Sequence, residues 1–92
     1  MTVPPDFPGA DLVDAGLRDL ALGVESKAAL LVSIGAPRLT ELGYSIVQPI
    51  PSPEHRLYEL LHDQSPDAAH SRYNALVRRL VSFERAAACV PR

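Results

Sequence analysis

The 92-residue chain has no tryptophan, and three tyrosines and two phenylalanines are its only large aromatics. Leucine, valine, alanine and isoleucine must therefore build its core. A single cysteine, Cys89, excludes an internal disulfide and with it the stapled scaffold of small secreted domains. The most apolar run, "ALLVSIGA", falls far short of the roughly 20 residues a membrane-spanning helix needs. No cationic segment followed by an apolar stretch opens the sequence, so the expectation is a cytoplasmic protein without a secretory leader. No glycine-rich phosphate loop is present, since "SIGAPR" lacks both the lysine and the flanking strand. Lysine itself is scarce, with eight arginines to one lysine. Together with the many alanines, that bias points to a GC-rich genome more than to a function.

What is present fits one small globular domain. Apolar residues make up 47% and charged residues 22%, well outside the disordered range. The net charge of −2 is unevenly spread. Positions 1–63 carry nine acids and four bases, whereas positions 64–92 carry two acids and five bases. The two parts therefore have opposite sign.

The chain punctuates itself clearly. "MTVPPDFPGA" holds three prolines and a glycine, so residues 1–10 are expected as a flexible proline-rich arm and 11–90 as a single helical domain. Asp11 is placed to cap a first helix in which Val13, Leu17, Leu20 and Val24 recur at helical spacing. Gly23 is its expected stop, with Val24 folding back on the last turn. A second helix over 25–34 has almost no polar face and should be central. Pro37 opens a short third helix, "PRLTEL", closed by Gly43. "YSIVQPIPSP" is too rich in proline to be helical, and Ile46, Val47 and Ile50 should pin it to the body. "SPEH" and "SPDA" each set a serine cap before a proline, with Ser52 and Ser65 opening helices over 53–62 and 66–88. No alternation supports a sheet. The expected fold is all-α, a compact bundle of four to five helices with a long C-terminal one.

In that last helix Ala69, Tyr73, Leu76, Leu80, Phe83 and Ala87 step by three and four, a seam for packing on the other helices or on a second copy. At 1.5 Å per residue the helix is roughly 35 Å long, too long for so small a body to cover fully. Arg72 and Arg79 form one outward row, and Arg78 and Arg85 another. Such rows serve as a solvated face, as a seat for an acidic protein or the acidic part of another copy, or as a grip on nucleic acid. Negative whole-chain charge and the absence of interleaved aromatics weigh against nucleic acid. The short third helix offers only Arg38 and Thr40 to a DNA groove, so a small DNA-binding regulator is a lesser alternative.

His55, His62 and His70 lack metal-ligand spacing, and neither a metal nor a cofactor is expected. One stretch, "RLYELLH", sets Arg56 and His62 with five residues between them and resembles the arginine–histidine motif of the small helical ribonucleases and antitoxins called HEPN domains. The family usually has a polar residue where Leu57 stands, and the chain is shorter than the usual bundle of four long helices. The resemblance implies that Arg56 would stabilise phosphate charge and His62 would move protons.

Across the whole chain, "MTVPPDFPGA", the acidic "DLVDAGLRDLALG" and the arginine-studded last helix resemble the small helical antitoxins of bacterial toxin–antitoxin pairs. That resemblance implies a non-enzymatic protein that occludes a basic active site, for instance that of a nucleotidyltransferase toxin. It makes Asp11, Asp14 and Asp19 contact candidates beside Arg72, Arg78, Arg79 and Arg85. The expectation is thus a protein-binding module with a toxin-like partner, able to form a homodimer. A HEPN-like ribonuclease or its inactive relative is the enzymatic alternative.

Overall fold

The computed structural model describes residues 3–89. Positions 1, 2 and 90, the outer ends of the expected arm and domain, lie outside the described residues. Five α-helices follow in order: α1 (Ala10–Ala21), α2 (Lys27–Ile34), α3 (Ala36–Glu41), α4 (Pro53–Gln64) and α5 (Ala69–Ala88), with a 3₁₀ turn, Pro66–Ala68, leading into α5. No strand occurs among the described residues. The radius of gyration is 12.7 Å, close to the roughly 12 Å of a compact chain this long.

α2 is the axis of the bundle. Its residues Ala28, Ala29, Leu30, Leu31, Val32 and Ser33 are all buried, as its lack of a polar face requires. α1 crosses it at Gly16, and α4 and α5 cover other sides. The helix starts at Lys27, and its cap is Ser26, whose Oγ accepts a bond from the Ala29 amide at 3.1 Å.

The other helix starts depart from expectation. α1 is capped by Gly9, not Asp11, which falls inside the first turn. Gly9 is the only residue type that fits there. Its φ is +76°, and a Cβ would lie 2.6 Å from the Arg79 carbonyl oxygen of α5. Ser52 and Ser65 precede their prolines as expected, yet neither side chain makes a capping bond. Ser52 sits at φ +50°, outside the extended region that a capping serine normally adopts.

The helix stops agree better. At the end of α1 the Val24 amide donates to the Asp19 carbonyl at 2.8 Å and the Gly23 amide to Leu20 at 3.1 Å. Tyr44 and Gly43 make the same pair of bonds to Leu39 and Thr40 after α3. Tyr44 then turns inward onto Phe83, with ring centroids 5.7 Å apart, and Phe7 meets Phe83 from another side at 5.8 Å. Phe83, fully buried, thus ties α5 to two segments without regular structure. Val3 is also buried, so from residue 3 onward the proline-rich arm lies against the body.

The segment after α3 is pinned by Ile46 and Ile50 and by Ser33, whose Oγ accepts from the Ile50 amide at 3.0 Å and donates to the Ala29 carbonyl at 2.8 Å. Val47, expected to help, is exposed instead.

Candidate protein-docking groove

The seam of α5 is covered unevenly. Ala69, Leu80, Phe83 and Ala87 are buried, while Tyr73 and Leu76 are only half-buried. The opening over Leu76 is the floor of a groove. Arg72, Ala75, Leu76 and Arg79 lie on one side of α5, because steps of three and four return to the same face. Leu61 of α4, Leu12 of α1 and Lys27 at the start of α2 stand across from them and close an open groove of about 390 Å³. The floor, made of Leu12, Leu61, Ala75 and Leu76, is apolar. The charged residues lining it are Lys27, Arg72 and Arg79, and no carboxylate lines it.

Arg79 alone among these cations is paired. Its Nη2 donates to Asp11 Oδ1 at 2.7 Å, and this bond holds the Asp11 carboxyl below its ordinary range. Both side chains are well exposed, so the pair is weak and open to exchange. Among the described residues no carboxylate pairs with Lys27 or Arg72. Lys27 also sits in the first turn of its helix, where a cation opposes the helix dipole. Helix stability therefore gives no reason for a lysine at that position.

The other candidate residues do not join this site. Arg78 is exposed beyond the groove. Arg85 borders a separate shallow depression with Arg38, Val81, Glu84 and Cys89. Asp14 pairs with Arg18 at 3.2 Å, and Asp19 accepts from the Ser26 hydroxyl at 2.5 Å. Asp11, Asp14 and Asp19 are thus each engaged within the chain and form no bare acidic face.

Arg56 and His62 are not brought together around a free guanidinium. Arg56 forks onto Glu25, with Nε and Nη2 donating to its two carboxylate oxygens at 3.0 and 2.6 Å. That bond holds the Glu25 carboxyl below its ordinary range. His62 stacks instead on Tyr58, with centroids 6.4 Å apart. Tyr58 in turn meets Tyr73 edge-on at 6.0 Å. Burial, with Glu54 nearby, raises the Tyr73 phenol above its usual value. His55 is bound to Glu59 at 2.6 Å, and His70 lies 3.2 Å from Asn74. No group of three metal-ligating side chains converges among the described residues. Within the same residues no helix is long and apolar enough to cross a membrane.

Sequence reasoning found Arg72 and Arg79 but passed over Lys27, Leu12 and Leu61 as partners in a site. Lys27 carried a usable signal: it is the chain's only lysine, set at the unfavourable end of an otherwise uncharged helix. No protein-family model, curated protein or solved structure matches this chain.

Proposed function

We propose that this chain is a protein–protein interaction module, and that its most concrete form is an antitoxin that binds and neutralises a toxin-like partner. One observation carries the docking part: an apolar-floored groove lined by Lys27, Arg72 and Arg79 and by no acid. Apolar floors with a charged rim are what protein interfaces use for anchoring and orientation. The antitoxin part rests on the resemblance of the proline-rich arm, the acidic first helix and the arginine-studded last helix to that class. The pairs at Asp11 and Asp14 are exposed and weak, so the acidic first helix stays a contact candidate beside the basic groove.

The test is affinity capture from the native host with the wild-type chain and with Arg72→Glu/Arg79→Glu, the variant's folding being checked by thermal melting. The expected result is one stoichiometric partner that the double variant loses. Expressed alone, that partner should arrest growth, and co-expression of this chain should restore it. A partner retained by the double variant rejects the groove, and a partner harmless on its own rejects the antitoxin role.

A further inference from the structure

The spacing of the groove's charges narrows the kind of partner, a step that rests on the protein-docking function proposed above. Arg72 and Arg79 are seven residues apart on α5, about 10.5 Å along its axis. A second helix laid beside α5 presents its own positions seven apart at the same rise. Leu76 lies between the two arginines, four residues after one and three before the other. A partner helix alongside would therefore meet cation, apolar floor and cation in turn, each about one turn from the last.

We propose that the groove takes an acidic amphipathic helix of a partner protein, of the pattern acid–x–x–Leu–x–x–x–acid or its reverse. The leucine-like side chain seats on Leu61 and Leu76, and the two carboxylates seat on Arg72 and Arg79. Lys27 lies across the groove from them and favours a further acid on the partner's flank. Asp11 is the chain's own competitor for one of these seats. Its carboxylate already accepts a bond from Arg79 Nη2 at 2.7 Å, which a partner's acid has to replace. Because the pair is exposed, a partner carboxylate can displace it at small cost.

Nucleic acid fits the groove less well. No aromatic lines it, so a base would have no ring to stack on. Three cations in a chain of net charge −2 give little of the sequence-independent attraction that such ligands need.

The experiment uses the full chain and synthetic 15-residue helical peptides carrying Glu-x-x-Leu-x-x-x-Glu, with binding followed by fluorescence anisotropy and by amide chemical shifts. The expected result is saturable binding that shifts the amides of Leu61, Leu76 and Arg79 and weakens as salt rises. Changing the peptide leucine to alanine should weaken binding about tenfold or more. Arg72→Glu/Arg79→Glu should abolish binding and instead favour the peptide with lysine at both acid positions, a reversal that misfolding cannot produce. Asp11→Asn should tighten binding about two- to fivefold by freeing Arg79.

Three results overturn the proposal. One is peptide binding that the double variant leaves unchanged, or no binding at all. Another is stronger competition from single-stranded RNA of equal charge than from the peptide. The third is a concentration-dependent mass abolished by the double variant, which makes a second copy the occupant. If the peptides fail while a captured native partner still depends on Arg72 and Arg79, the docking function stands and only the acidic-helix assignment falls.

Discussion

Gly16 of α1 and Ala28 of α2 meet backbone to backbone: a Cβ on Gly16 would lie 2.4 Å from the Ala28 carbonyl oxygen and equally close to Val32 Cγ2. Neither obstacle is the free end of a long side chain. Gly16→Ala improves intrinsic helix propensity by about 1 kcal/mol. It also forces apart two helices that pack closely against each other. Overpacking of this kind costs about 1–3 kcal/mol. The expected net result is a lower urea midpoint, and a higher one would show that the two helices part easily enough to admit a methyl group.

The serines at helix starts allow a sharper comparison. Ser26 caps α2 through a side-chain bond to the Ala29 amide and also donates to Asp19, whereas Ser52 makes no capping bond to α4. Ser26→Ala should therefore cost about 0.5–2 kcal/mol. Ser52→Ala should change little, and Ser52→Gly should be neutral or stabilising, because φ of +50° strains any residue with a Cβ. Chemical denaturation of the three variants checks the order. Equal losses at both serines would mean that Ser52 caps its helix in solution.

These two serines show where the sequence was legible and where it was not. The helix count, the all-α class and the stops at Gly23 and Gly43 follow from periodicity and glycine, both local signals. Ser52 before Pro53 also looks local, but Ser52 adopts φ +50° at the end of a segment whose Ile50 amide is bound to Ser33 of α2, and it makes no capping bond. Asp11 looked like a cap, yet the close pass of Gly9 over the Arg79 carbonyl sets where α1 begins, a contact 70 positions away in sequence. The groove was half legible for the same reason. Arg72, Leu76 and Arg79 share one helix face and could be read from spacing. Lys27, Leu12 and Leu61 come from three other helices, and only the packing of the bundle brings them there.

Glu84 gives a pH prediction of unusual sign. Burial raises its carboxyl above the ordinary value of 4.5, although Arg38 partly offsets this. The folded state therefore binds this proton more tightly than the unfolded chain does. At pH below the unfolded value the group is protonated in both states. As pH rises through the unfolded and then the raised folded value, the folded state must ionise a half-buried acid, and stability falls. Glu84→Gln should thus match the wild type near pH 3.5 and melt at a higher temperature at pH 7. Asp11 and Glu25 run the other way, since Arg79 and Arg56 lower their values and help the folded state only above the acid range. The comparison should accordingly be made at each pH against wild type. A wild type more stable than Glu84→Gln at pH 7 would point to a compensating bond at Glu84.

Leu76 and Leu80 are one helical turn apart on the same seam but have different surroundings. Leu80 is 3% exposed and belongs to the core cluster, whereas Leu76 is half-buried and lies on the groove floor. Leu80→Ala removes buried contacts and leaves a cavity, at about 2–5 kcal/mol. For so small a domain that is a large share of the total, and each kcal/mol is worth about 4–8 °C in melting temperature. Leu76→Ala removes less buried area and opens onto solvent, so its cost should be nearer 1 kcal/mol. The order reverses for docking. Leu76→Ala should weaken the acidic helix while the chain stays folded, because it takes away the surface the partner's leucine rests on. Melting curves and peptide titrations on the same two proteins separate these effects. Equal stability losses at both positions would mean that the groove is closed in solution, leaving the partner helix no floor to occupy.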